Sequence, residues 1–483
     1  PSPDETSSEP TEHFFNPDVK TEGVFDSVTG TPLKTDKVWE ARREEMTWVK
    51  KQDLYEVVDE QVLCSLLVSK KVSKSGQPLK LRLTDISRAH FYGQARRRVF
   101  CNLPEGEEIA GKCALLKRSM YGTLDAASIW QQTYADVLKK NNIKQCVAWP
   151  ALFYQEDSDL RFMVLSEKFE YRVDGQIGPE ATDGTAMCVL NSVLEFNKDT
   201  GVLTYEADPR HAEHIIRALN LEESKSVSTP AEKQKLTDVL AAEGLPELDE
   251  TATAQYRSLT MRAAYLSMDR ADLSEAVKSL ARHMKSPTSY SWGRLKRLGR
   301  YLVGVPRVQQ LFKPQRMFTS IRVYCDSDHA GDLKSRKSTT GLICMLGTHC
   351  VKHSSNLQGT VSLSSGESEF YALVKAGAMG LGLQGMLDEW QIPTRIVLLS
   401  DSSAARGMAS RRGLGKARHV QTRYLWIQER VQNRDVEAQA VGTDRNLADL
   451  CTKPLPADVC RRHMDTMGQV ITAGRSLTAK QLV

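Results

Sequence analysis

A chain of 483 residues with 41% hydrophobic side chains has the apolar mass for two or three packed domains, which excludes a wholly disordered protein. Sixty-five Lys and Arg against 60 Asp and Glu leave a net charge of +5, too weak over this length to establish a polyanionic partner by itself. Ten cysteines fall singly, with no CxxC pair and no Cys/His grouping at zinc spacing, so neither a disulfide framework nor a zinc module is indicated and a reducing intracellular compartment is expected.

Residues 1–36, rich in Pro, Ser, Thr, Asp and Glu, carry no helical or strand periodicity and read as a disordered leader. The acidic start lacks the basic-then-apolar pattern of a secretory signal, and no stretch reaches eighteen apolar residues. A protein that is not secreted and has no membrane partner is expected, cytoplasmic or nuclear. A first helix is expected near Val38. LKLRLTDI (79–86) alternates as a half-buried strand does, and GKCALLKRSMYG (111–122) reads as a strand or hairpin entering a turn. A helix follows at Ala126–Lys139, then strands within Thr185–Phe196 and Gly201–Glu206, and a helix over Pro209–Ala218. Glu222–Glu250 is polar and linker-like. Tyr256–Met284 and Trp292–Val303 repeat apolar residues at helical spacing. Arg294, Lys296, Arg297 and Arg300 on the latter read equally as a solvated face or as contacts to a nucleic-acid backbone.

From Ile321 the order becomes three strands, then helix, strand, helix, strand, helix, which predicts an α/β mixed sheet flanked by helices. Ser364 with Glu367 three residues on opens a helix running to about Trp390. Four acids stand at strand and helix ends: Asp326 on the first strand, Glu369 in the long helix, Asp401 after the fourth strand, and Asp449 at the start of the last short helix. Carboxylates so placed suit Mg²⁺, which prefers oxygen ligands, and two such ions can assist in-line hydrolysis of a phosphodiester. Spacing alone does not separate this from chance among 60 acids.

Five ordered stretches sharpen the reading: VYCDSDHAGDLKSRKSTTGLICMLG (323–347), SLSSGESEFYALVKA (362–376), LLSDSSAARGMA (398–409), LGKARHVQTRYLWIQERV (414–431) and NLADLCTKPL (446–455). Together they resemble the ribonuclease H of copia-type (Ty1/copia) retrotransposon polyproteins. The resemblance implies a two-metal nuclease, with Mg²⁺ or Mn²⁺, that cuts the RNA strand of RNA/DNA hybrids and leaves a 3′-hydroxyl and a 5′-phosphate. Its catalytic, metal-binding acids would be Asp326, Glu369, Asp401 and Asp449. Asp328 and Glu367 read instead as cap or solvated side chains. Between Ser402 and Arg423 six basic residues, Arg406, Arg411, Arg412, Lys416, Arg418 and Arg423, occur with no acid, as expected of a segment holding hybrid phosphates, while three glycines, Gly407, Gly413 and Gly415, give a flexible solvated loop as the competing reading. His419 reads either as an aid to product release or as a packed or solvated histidine.

Upstream, LRLTDISRAHFYGQARRRVFCNLPEG (81–106) and LLKRSMYGTLDAASIW (115–130) resemble the reverse transcriptase palm of the same family, implying Asp85 as its first metal-binding aspartate. YRSL (256–259), YLSMDRADL (265–273) and LKRLGRYLVG (295–304) resemble the helical connection that precedes the nuclease. Two departures matter. The stretch between Val62 and Lys80 is too short for the fingers strands. Val164 also runs straight into LSEKFEY, where a hairpin with paired aspartates would belong; Tyr171–Gly175 (YRVDG) offers one acid and reads as an unrelated echo. Polymerase activity is therefore expected to be lost. The organisation expected is a leader 1–36, a truncated reverse transcriptase 37–221, a linker and helical connection 222–312, a ribonuclease H domain 313–458 and a tail 459–483. A decayed element that only binds nucleic acid is the alternative.

Overall fold

The computed structural model describes residues 60–479 apart from 86–92, 102–108, 110–111, 121–124, 148–151, 157–159, 164–171, 190, 235–236, 239–240, 242–243, 414, 416–418, 421 and 477. The leader, the helix expected near Val38, and Lys416 and Arg418 lie outside the described residues. The chain divides into two compact units, residues 1–57 with 90–132 and residues 58–89 with 133–483. In the first, Phe100–Cys101 pairs with Ala114–Leu115. The four acids all belong to the second.

The second unit opens on helix α1 (Glu60–Lys70) and strand β1 (Leu81–Asp85). Strand β2 (Arg172–Ile177) pairs antiparallel with β1, Asp85 opposite Arg172 and Thr84 opposite Val173. A bulge there leaves Asp174 without an opposite residue. Next come β3 (Ala186–Val189), β4 (Ser192–Phe196) and β5 (Leu203–Glu206), an antiparallel meander, and helix α2 (Arg210–Ala218). The turn between β4 and β5 ends at Gly201, whose φ of +67° is left-handed backbone that glycine adopts without a Cβ clash.

Helices α3 (Glu250–Asp269), α4 (Ser274–Ala281) and α5 (Ser289–Gly304) form the helical layer expected. Asp249 starts α3 by accepting the Ala252 N–H at 2.8 Å. Composition predicts one helix over 256–284, but it breaks at Arg270 (φ −116°, ψ 94°). There the guanidinium, 2% exposed, pairs with Asp272 at 2.7 Å and donates to the Val305 carbonyl at 2.9 Å, while the Tyr301 hydroxyl donates to Asp272 at 2.9 Å. A buried cation satisfied by a carboxylate and a carbonyl outweighs one turn's helical hydrogen bonds.

After β6 (Arg307–Phe312) come β7 (Ser320–Asp328), β8 (Thr339–Leu346), β9 (His349–Leu357), helix α6 (Ser365–Glu389), β10 (Arg395–Ser400), α7 (Ser403–Ser410), α8 (Trp426–Gln432) and β11 (Val436–Ala440). They build one mixed sheet of order β9-β8-β7-β10-β11, antiparallel at its first two junctions and parallel at its last two. This is the ribonuclease H-like architecture that the resemblance implies. All eight residues of β8 are buried, so it reads as a continuous apolar and small-residue run rather than an alternation. The pleat sorts them. Leu342, Cys344 and Leu346 join Val323, Cys325 and, from α6, Phe370 and Leu373, with Trp390 just past its end. Ile343 and Met345, with Cys350 of β9, turn the other way, into a core with Tyr256, Leu266, Leu298 and Leu302 of the helical layer. Each fully buried Leu or Ile contributes on the order of 2 kcal/mol.

Residues 459–483, expected as a tail, contain most of helix α9 (Ala457–Met467), stopped by left-handed Gly468, and strand β12 (Gln469–Thr472). Strand β12 pairs with β6 and completes a second sheet, β12-β6-β5-β4-β3, antiparallel throughout. That sheet draws strands from both sides of the boundaries expected at 221/222 and 458/459. Among the described residues no helix is long and apolar enough to cross a membrane.

Candidate active site

Strands β7 and β10 run parallel, with Tyr324 opposite Leu399, so Asp326 and Asp401 sit two residues further on, side by side at the carboxyl ends of neighbouring strands. Open α/β sheets place ligands at such strand ends. Helix α6 supplies Glu369 from its first turns. Its start is set by Ser364, whose side chain accepts the Glu367 N–H at 3.2 Å. The short 3₁₀ segment Leu447–Cys451 carries Asp449. Asn446 anchors that segment, donating to the Cys325 carbonyl at 3.0 Å and accepting from Ala448 N–H at 3.3 Å. The segment lies close because position 341 is glycine: a Cβ there would stand 2.6 Å from Thr452 Cγ2 and 2.7 Å from the Ala448 carbonyl oxygen.

Ligand oxygens of Asp326, Glu369 and Asp401 lie within 4.8 Å of one another, the one group of three His, Cys, Asp or Glu that converges so among the described residues. Asp326 and Glu369 are buried and Asp401 is partly exposed. Asp449, also buried, stands beside this trio and joins it through Lys453, whose Nζ is 3.0 Å from Asp449 Oδ1 and 3.7 Å from Asp326 Oδ2. The Thr452 hydroxyl donates to Asp326. Burial first, then the charges of Asp326 and Asp401, push the Glu369 carboxyl up to about 9. Burial and then Asp326 push Asp449 up to about 7 against the opposing pull of Lys453.

A divalent cation fits this donor set. Glu369 Oε2 is buried without a hydrogen-bond partner, a costly arrangement for a carboxylate that nothing neutralises, and the converging atoms are all hard oxygens.

The basic segment has mixed outcomes. Arg406 donates to the Ser400 carbonyl, and so braces the strand end next to Asp401. Arg411 packs its guanidinium against left-handed Gly415. Arg412 and Arg423 are exposed, the first donating to Gln432 at 2.8 Å and the second lying 4.9 Å over the Tyr424 ring. On α5, Arg297 pairs with Glu232 and donates to Thr229, and Arg300 donates to the Lys225 carbonyl at 2.8 Å. Half of that basic face therefore holds the linker in place. A cavity of about 130 Å³ beside it, lined by Arg294, Arg297 and Pro230 among others, contains none of the four acids.

Three residues carry more than their spacing suggests. Asp328, read as a cap or a solvated acid, is partly buried, accepts the Thr339 N–H, and is pushed by burial up to about 6. Glu367 is 3% exposed and accepts from three groups, which outweigh burial and hold its carboxyl below the ordinary glutamate range; the Tyr371 hydroxyl contributes most. Lys453 was legible only as the i+4 neighbour of Asp449. Arg172–Gly175 of the YRVDG echo lie on β2, the strand beside the one that ends on Asp85.

No protein-family model matches the chain. Over 401 residues, 78% of the chain, it is 25% identical to the Retrovirus-related Pol polyprotein from transposon TNT 1-94 of Nicotiana tabacum, covering 30% of that protein. Over 250 residues, 51% of the chain, it is 32% identical to the Retrovirus-related Pol polyprotein from transposon RE2 of Arabidopsis thaliana, covering 17% of that protein. The chain thus spans less than a third of the length of these curated relatives. Among solved structures, the foamy viral protease-reverse transcriptase in complex with RNA/DNA hybrid superposes with a TM-score of 0.43 and 11% identity, over 81% of this chain and 47% of that one. The chain is thus similar along most of its length to Retrovirus-related Pol polyproteins of copia/Ty1-type transposons.

Proposed function

We propose that residues 313–458 act as a ribonuclease H that hydrolyses the RNA strand of RNA/DNA hybrids, with Asp326, Glu369, Asp401 and Asp449 holding two Mg²⁺ or Mn²⁺ ions. The observation that carries the reading is the convergence of three carboxylates within 4.8 Å around a buried, unpartnered Glu369 oxygen, with Asp449 alongside. When bound, a pair of divalent cations supplies Lewis acidity at the attacking and the leaving oxygen of an in-line phosphodiester hydrolysis. The chain's own residues do the rest. Asp326 and Asp401 are aimed by two parallel strands, Glu369 by a capped helix, and Asn446 and Thr452 hold the Asp449 segment against Asp326. Lys453 offsets the mutual repulsion of Asp326 and Asp449. Exposed Arg412 and Arg423 stand in a stretch with no acid, as phosphate contacts of an intracellular substrate require. Recognition rests on backbone shape and 2′-hydroxyls rather than on base identity.

The polymerase portion is inactive in this reading. Nucleotide transfer requires a concentration of carboxylates around two metals, and the chain contains no two adjacent aspartates anywhere. Asp85 is then vestigial.

The test is a labelled RNA/DNA hybrid with Mg²⁺, comparing the parent with Asp401→Asn. Cleavage by the parent and none by the variant is expected; equal cleavage by both sinks the assignment. No cleavage by a parent that still binds the hybrid favours a decayed element that binds nucleic acid only. Primer extension should yield no product, and extension that disappears with Asp85→Asn would overturn the inactive-polymerase reading.

A further inference from the structure

Glu367 lies two residues before Glu369 on α6, and its position in a capping-box pattern predicts an exposed carboxylate that accepts one backbone N–H. It does something else. Oε2 accepts the Leu363 N–H at 2.9 Å and stands 2.8 Å from His419 Nε2, while Oε1 accepts the Tyr371 hydroxyl at 2.6 Å. The carboxylate is 3% exposed, whereas the His419 side chain is 45% exposed. A buried anchor thus grips a group at the surface.

His419 belongs to the basic segment between α7 and α8. That segment is tied down at both ends. At its start, Gln428, 5% exposed, accepts the Gly413 N–H at 2.9 Å and donates to the Gly413 carbonyl at 3.0 Å and to the Met408 carbonyl at 2.8 Å. At its end the Tyr424 ring lies 4.4 Å from that of Tyr371, the same tyrosine that donates to Glu367. Between these ties the backbone is left-handed at Gly413 (φ +73°) and Gly415 (φ +56°), conformations that glycine enters without a Cβ clash. The hydrogen bond from His419 fastens the middle of the span to α6. An ordinary surface ion pair is worth little because both partners are solvated. Here the acceptor is desolvated and held rigidly by two further donors, which makes losing the contact costly.

We propose that Glu367 is a positioning residue that latches the basic segment, through His419, onto the start of the helix carrying Glu369, and so sets how that segment's cations meet a nucleic-acid strand. The consequence for catalysis rests on the nuclease reading above. The latch itself, and its effect on hybrid binding, do not.

Two measurements on the full chain test this. The segment contains trypsin sites at Arg411, Arg412, Lys416 and Arg418, so limited proteolysis reports how often it lifts from the fold. Glu367→Gln keeps the size and a hydrogen-bonding group but removes the charge. His419→Ala breaks the same contact from the exposed side, leaving α6 untouched, which guards against misfolding as an explanation. Each variant should be nicked about five-fold faster within 411–418 than the parent, and the double variant no faster than either alone, since both remove one contact. In EDTA, where no cleavage occurs, the Kd for a fluorescent RNA/DNA hybrid should rise about five-fold in both. Asp401→Asn should leave the nicking at the parental rate and abolish only cleavage, so failure of the nuclease reading is told apart from failure of the latch. Parental nicking in both variants overturns the latch, and faster nicking with unchanged Kd overturns its positioning role.

Discussion

At Glu369, burial and two neighbouring carboxylates act on a single group. Its carboxyl, pushed up to about 9 against an ordinary value of 4.5, keeps a proton in the folded chain that the unfolded chain releases. A folded-state pKa above the unfolded one means the associated stability is fully present below about pH 4.5 and declines as pH rises toward 9. Asp449, raised from 3.8 to about 7, adds a decline in the same direction at lower pH. In EDTA the melting temperature should therefore fall between pH 5 and pH 9, and Glu369→Gln should flatten that fall and melt roughly 3 °C higher than the parent at pH 8. Mg²⁺ should reverse the order by stabilising the parent more than the variant. A variant that melts at or below the parent in EDTA at pH 8 would show that the cluster is not charge-strained. The identities of the four acids were readable from the motifs. Their burial was not, because it depends on what packs above each one.

At the scale of elements, the strands and helices around the mixed sheet follow the sequence pattern closely, since β7, α6 and β10 each carry strong local signals: alternation, a serine cap and a short apolar run. The elements that misled were those stabilised from outside. The expected helix 256–284 breaks because Arg270 finds its partners in Asp272 and the Val305 carbonyl. The Asp449 element is a 3₁₀ turn whose place depends on a glycine on another strand. Gly341→Ala should make this visible. Its new Cβ meets a backbone oxygen at 2.7 Å that cannot rotate away, so the Asp449 segment must shift. A loss of about 1–3 kcal/mol in urea unfolding is expected, with hybrid cleavage falling alongside it. An unchanged midpoint together with full activity would show that the segment is not seated by close approach. The pairing of β1 with β2 belongs to the same class: nothing local marks YRVDG as the partner of the Asp85 strand, and only the ladder reveals it.

Across the molecule, the mixed sheet β9-β8-β7-β10-β11 is not a free-standing layer. One face of β8 packs on α6, and the other, through Ile343 and Met345 with Cys350 of β9 beside them, packs on the helices upstream. Excising residues 313–458 along the boundary that composition suggests should expose that second face. The fragment should bind a hydrophobic dye and self-associate on gel filtration, whereas a fragment restoring residues 250–312 and 459–476 should run as a monomer. A monomeric, dye-silent 313–458 would establish that boundary as real. The order of motifs, the four acids, the sheet's strand sequence and the absence of paired aspartates were determined by the sequence alone, because each is a property of local pattern or of residue identity. Only the tertiary structure decided which carboxylates converge, that residues 459–483 close a second sheet, and that Glu367 turns inward to hold a distant histidine. Those outcomes depend on contacts between residues far apart in the chain, and no window of neighbouring residues contains them.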